Sequence, residues 1–167
     1  MTRDLSLSFT VDRTPAEVFD AINDVRHWWS GDVVGETTPE GAEWVYVTPD
    51  IHFSKFRTTV LTPGVRVEWL VLDSYLSFVA DKYDWTGTTI RFDITPVDGP
   101  SGGSRVDFTH IGLNDDVECY GVCRTAWGQY VLGSLRDLIL SGAGSPGFFS
   151  NQASLDAALS GSVRLPE

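Results

Sequence analysis

The chain has 167 residues, 42% of them hydrophobic and 12% aromatic, which supplies one domain with a substantial core but not two. Its formal charge of −11, with no cluster of Lys or Arg, argues against nucleic-acid and anionic-membrane partners, because both need a basic patch. No run approaches the roughly eighteen apolar residues of a membrane helix, and the opening MTRDLSLSFT alternates polar with apolar residues, so a cytoplasmic location is expected.

In chain order, LSLSFTV places Leu5, Leu7, Phe9 and Val11 on one face of a half-buried strand. Thr14-Pro15-Ala16-Glu17 then supplies an N-cap, a proline for the first helical position and a capping-box glutamate, and Val18, Phe19 and Ile22 form the buried stripe of a short helix. RHWWSG, 26–31, is a compact aromatic turn. From about 32 to 113 strand follows strand, punctuated by Thr38-Pro39-Glu40-Gly41, Thr62-Pro63-Gly64 and the 96–103 loop. Val65, Val67, Trp69 and Val71 share a face, as do Ile90, Phe92 and Ile94, and Val106, Phe108 and His110. Short connections with this period-2 alternation imply antiparallel neighbours. The aromatic segment 74–87 is expected to fold over the sheet.

ECYGVCRTAWGQYVLGSLRDLILSG, 118–142, reads as one long helix. At about 100° per residue, Cys123, Trp127, Tyr130, Val131, Leu135, Leu138 and Ile139 form one broad apolar face, with Thr125, Gln129, Gly133 and Arg136 opposite. A curved antiparallel sheet is the one element large enough to lie beneath it. Gly142 ends the helix. The domain is therefore set at 1–146, with 147–167 a tail that Phe148 and Phe149 would dock.

The motifs FTVDRTPAEVFDAINDVRHWWSGDVVGET, DWTGTTIRFDITP, VDFTHIGL and ECYGVCRTAWGQYVLGSLRDLILSGAGSP resemble the START-like (SRPBCC, Bet v-like) superfamily. Within it they are similar to a bacterial branch of the family named for the activator of the heat-shock protein 90 ATPase. The resemblance spans about residues 5–146. It implies an α+β helix-grip fold: a curved antiparallel sheet of six or seven strands around a long C-terminal helix, with two short helices after the first strand. It also implies an apolar cavity between sheet and helix, which in other members holds lipids, sterols, polyketides or hormones. The member that gives the branch its name is instead a co-chaperone. Fold alone does not choose between these.

The candidate ligand-binding residues are His110, His52, Trp69, Phe92, Phe108, Trp127, Tyr130, Val131 and Tyr83, which combine apolar lining with a few polar groups. His110 shares the inward face with Val106 and Phe108, where it is either a hydrogen-bonded core histidine or a polar handle for a ligand. The parity of His52 with Phe56 and Val60 would place it inside, the alternative being a surface histidine at a strand end. Trp28, Trp29 and Trp85 would line the same interior, as cavity wall or as core. Cys119 and Cys123 are reduced, and small buried hydrophobes before they are metal ligands, since their spacing is not that of a zinc knuckle. Arg124 projects toward the apolar face, where it would either snorkel out or bind a ligand carboxylate. No paired carboxylates, phosphate loop or nucleophile elbow occurs, so no catalytic residue, cofactor or metal is assigned. Binding of a small apolar molecule is the expected function. The alternatives are a protein-interaction module with a partner of chaperone type, and a cyclase- or hydrolase-like enzyme using His110 as base.

Overall fold

The structure, a computed structural model, describes residues 3–29, 32–48, 52–77, 79–98 and 102–146. The tail expected at 147–167, with Phe148 and Phe149, lies outside the described residues, as do Ser30 and Gly31 of the aromatic turn.

Seven strands form one antiparallel sheet: β1 (Asp4–Val11), β2 (Val33–Val34), β3 (Glu43–Thr48), β4 (His52–Thr62), β5 (Arg66–Leu76), β6 (Thr89–Pro96) and β7 (Ser104–Asn114). Their order is β1-β7-β6-β5-β4-β3-β2, so β2 to β7 run as a meander and β1 joins its far edge beside β7. Register irregularities between Lys55 and Phe56 and between Thr58 and Val60 break the pairing of β4 with β5. Such bulges add local twist and curvature, which the sheet needs to wrap a helix.

α1 (Pro15–Asn23) begins as its sequence dictates: the Thr14 hydroxyl accepts the Glu17 N–H at 3.2 Å, and Pro15 fills the first turn. Val18 and Ile22 are buried, with Phe19 at the margin. A single 3₁₀ turn, Val25–His27, follows and delivers Trp28 and Trp29 into the interior.

The C-terminal helix is continuous but not uniform: α2 (Tyr120–Trp127) and α3 (Arg136–Ser141) flank eight π-helical residues, Gly128–Leu135. The sequence explains why. Cys119, Cys123, Trp127, Val131, Leu135 and Ile139 recur at every fourth position, and all are buried. In an α-helix of about 3.6 residues per turn such a stripe rotates by roughly 40° per step, about 200° from Cys119 to Ile139, which would carry its end off the sheet. π-helical turns, with i→i+5 bonds and about 4.4 residues each, rotate it back and keep the stripe on one side. Gly142, at φ 82°, closes the helix in the left-handed conformation.

The returning chain is pinned by Ser134. Its hydroxyl donates to the Trp28 carbonyl at 2.7 Å and accepts from the Ser145 N–H at 2.7 Å. A Cβ on Gly144 would run into the His27 carbonyl oxygen, so only glycine allows this approach.

Most inward positions are as the alternation implies: Val67, Trp69 and Val71, then Ile90, Phe92 and Ile94, then Val106, Phe108 and His110 are buried. Val65 departs from this pattern. Its N–H closes a turn onto the Thr62 carbonyl before β5 begins, and its side chain is 52% exposed.

Candidate functional site

The space between sheet and C-terminal helix is occupied by aromatic rings. Strands supply Trp44, Tyr46, Phe56, Trp69, Phe92 and Phe108 from their inward positions, the helix supplies Trp127, and the 3₁₀ turn supplies Trp28 and Trp29. Trp85 enters from the loop between β5 and β6. That loop is tied to the start of the helix, where the Glu118 carboxylate accepts the Ala80 and Asp81 N–H groups at 2.9 and 3.2 Å. Trp29 sits at the centre, with eight ring partners at centroid separations of 4.2–6.5 Å. Offset-stacked and edge-on pairs at such distances each add about 0.5–1.5 kcal/mol beyond burial.

Two histidines lie in this aromatic mass. His110 is completely buried and points beneath the helix. The Trp127 indole N–H donates to its Nδ1 at 3.1 Å, and Nε2 lies 2.8 Å from Thr88 Oγ1. The Thr88 hydroxyl in turn donates to the Trp85 carbonyl at 2.6 Å. With Nδ1 accepting and the Thr88 proton already committed, the network assigns the neutral tautomer carrying hydrogen on Nε2. Burial, aided by the nearby His52 charge, pushes its pKa down to about 3. His110 is thus the hydrogen-bonded core histidine of the two alternatives, with both ring nitrogens engaged.

His52 also faces inward. It is half-buried, edge-on to Trp85 at 4.7 Å and to Tyr46 at 4.9 Å, with Nε2 2.7 Å from Ser54 Oγ. Desolvation pushes its pKa down to about 3.

Not every donor is satisfied. The indole N–H groups of Trp69 and Trp85 are buried without a hydrogen-bond partner. Trp69 is surrounded by Trp28, Trp29, Trp44, Phe56 and Phe92, none of which presents an acceptor atom. Trp85 faces the sulfur of Cys123, a weak acceptor, without reaching hydrogen-bond geometry. An orphaned buried N–H typically costs about 1–3 kcal/mol, so two in one interior call for an explanation.

The structure brings together eight of the nine residues named from sequence: His110, His52, Trp69, Phe92, Phe108, Trp127, Tyr130 and Val131 lie on this interface, all but the half-buried His52 fully buried. Tyr83 does not join them. It is 62% exposed, because the turn that buries Trp85 aims Tyr83 the other way. Arg124 is exposed rather than directed at the rings, which removes the need for a ligand carboxylate. Cys119 and Cys123 are free, buried thiols, and burial beside Cys119 pushes the Cys123 thiol well up. No trio of metal-capable side chains gathers among the described residues. Sequence reasoning passes over Trp44, Tyr46 and Thr88. The alternation in EWVYVT marks the first two as inward, whereas nothing local marks Thr88 as a partner of His110.

A helix-grip sheet closed over an aromatic interior defines the START-like class of fold. No family model matches the chain, and no curated protein matches it. Solved structures do. The chain is similar to the Aha1 dimer from Colwellia psychrerythraea, with a TM-score of 0.67 and 22% identity over 85% of this chain and 99% of that one. It is similar to CalU16 from Micromonospora echinospora, with a TM-score of 0.59 and 14% identity over 95% and 88% of the two chains. It is similar too to DynU16, a putative protein of the dynemicin biosynthetic locus, with a TM-score of 0.56 and 17% identity over 84% of this chain and 48% of that one. These likenesses give it the START-like, Aha1-like fold.

Proposed function

We propose that the chain binds a small, largely apolar molecule between sheet and C-terminal helix, as a carrier or sensor rather than an enzyme. The observation that carries this reading is the pair of buried, unpartnered indole N–H groups of Trp69 and Trp85 inside an aromatic enclosure. Pockets for small molecules are mostly apolar with a few placed polar groups, and donors without acceptors are such groups. The eight π-helical residues in the helix that closes the site point the same way, since π-helical turns concentrate at functional sites. His110 is poorly suited to be a general base, because its acceptor nitrogen is already occupied and its pKa of about 3 lies far below neutrality. Native mass spectrometry of the protein purified from its own host tests the reading. A co-purified small molecule is the expected result, and protein of bare mass from host cells under several growth conditions would refute it.

A second reading has its own observation. On the outer face of the sheet Val47, Phe53 and Tyr75 are register neighbours across β3, β4 and β5, and Val34 lies opposite Val45 at the β2 edge. Val34 and Tyr75 are 67% and 41% exposed. Such a row suits a protein partner of chaperone type. Titrating this chain into a bacterial heat-shock protein 90 homologue should then change its ATPase rate, and the Phe53→Asp variant should abolish the change. An ATPase rate that never moves rules this reading out.

A further inference from the structure

The chain leaves the domain at a defined point. Gly144 lies against the His27 carbonyl, just beyond the C-terminal end of α1, and the Ser145 N–H donates to Ser134 Oγ at 2.7 Å. Pro146 is the last described residue, so residues 147–167 begin beside the 3₁₀ turn. Their first nine, GFFSNQASL, carry no charge and set two phenylalanines, Phe148 and Phe149, next to each other.

Along α1 lies a groove without an occupant among the described residues. Pro15, Ala16, Phe19 and Asp20 of the helix form one side and Pro63 and Gly64 of the β4–β5 turn the other, around a volume of about 580 Å³. Ala16 and Pro63 are exposed, and Phe19, which by spacing belongs to the buried stripe, is only half-buried. Asp20 is the one charged residue of the lining. Val65, two residues beyond Pro63, adds exposed apolar surface. Apolar side chains gain by leaving water for such a place. The tail can reach it. From His27 back to Phe19 the chain covers four turn residues at about 2 Å each and four helical ones at about 1.5 Å, roughly 14 Å in all. An extended chain spans about 17 Å in five residues, the separation of Phe149 from Gly144.

We propose that the tail folds back along α1 and seats Phe148 and Phe149 in this groove, closing it from within the same chain. The proposal is independent of what binds between sheet and C-terminal helix. Tethering favours this occupant over a second copy or a free partner, because a segment joined to its site by a short linker acts at an effective concentration on the order of millimolar. Seated there, the two rings would bridge α1 and the β4–β5 turn, which are far apart in the sequence.

Paramagnetic broadening in the full chain tests the proposal. Cys119 and Cys123 are buried, so a nitroxide on Thr62→Cys, an exposed position at the rim of the groove and outside its lining, labels one site. The ¹⁵N amide signals of Phe148 and Phe149 should lose most of their intensity. The same label on Asp115→Cys, exposed at the end of β7 remote from α1, should leave them unchanged. Ala16→Arg, which fills the groove from an exposed position, should restore the signals, and so should the double variant Phe148→Ser, Phe149→Ser at its own two amides. In a mixture of ¹⁵N chain without label and labelled chain without ¹⁵N, broadening should vanish, because each tail sits on its own domain. Full intensity with the Thr62 label, equal broadening from the two labels, broadening that survives either variant, or broadening that appears in the mixture would overturn the proposal.

Discussion

The buried His110 makes a quantitative claim about acid. Its folded pKa of about 3 lies below the ordinary histidine value of 6.5, so between these limits the unfolded chain binds a proton that the folded chain refuses. Stability therefore falls as the pH drops below 6.5 and is indifferent to this residue above it. For a group with these two values the loss from pH 7 to pH 5 is about 2 kcal/mol, and it depends on the unfolded value alone as long as the folded one stays below about 4. His110→Gln isolates the effect. A glutamine carbonyl accepts the Trp127 N–H and its amide donates to Thr88 Oγ1, so the network survives while the titration disappears. Urea denaturation at pH 7 and pH 5 should show the natural chain losing about 2 kcal/mol more than the variant does between the two. Equal losses would mean that His110 takes up a proton in the folded state, and the tautomer derived from Trp127 and Thr88 would then be wrong.

Three other outcomes are expected. Thr58→Val removes the acceptor of the Trp44 indole N–H and the donor to the Thr37 carbonyl, and should cost about 1–3 kcal/mol in the same denaturation assay. Gly144→Ala drives a methyl group against the His27 carbonyl and Ser134, and should cost about 1–3 kcal/mol, with the loss disappearing in a background where Ser134 is alanine and the chain beyond it is already loosened. Cys119 and Cys123 should react with Ellman's reagent only at the rate of unfolding, at pH 8 as at pH 7, because burial holds both away from solvent and pushes the Cys123 thiol up.

Much of this arrangement is legible in the amino-acid sequence, and the rest escapes it for identifiable reasons. Period-2 alternation places Trp69, Phe92, Phe108 and His110 on the inward face because each strand has one wet and one dry side, and β6 and β7 keep strict register. Alternation alone puts Val65 inside, but parity does not say where a turn ends and a strand begins. The buried face of the C-terminal helix is read correctly from an α-helical wheel except for Leu138, which lies at the margin. The π-helical stretch itself is hidden from a wheel drawn at a fixed angle, although the strict fourfold spacing from Cys119 to Ile139 contains it. Tyr83 is assigned by aromatic character in a segment without periodicity, where nothing fixes facing, and the structure turns it to solvent. The partners of His110 are out of reach for a different reason: Thr88 lies 22 residues away, and only the pairing of Ile90 with His110 across β6 and β7 brings the two together.

The place of β1 at the edge of the sheet has a consequence for how the chain is made. Its partner strand is β7, completed only at Asn114, so β1 is synthesised well before the strand it pairs with and is among the last to find its neighbour. Trp28 and Trp29, synthesised just after it, wait as long for the helix that encloses them. Until that helix arrives the nascent chain holds an unpaired apolar strand and two large indoles in water, a state prone to collapse or aggregation. Contacts of such long sequence separation also slow folding. The polar residues spaced through β1, Ser6, Ser8 and Thr10, together with the strongly negative charge of the whole chain, keep that waiting segment apart from its copies on neighbouring ribosomes.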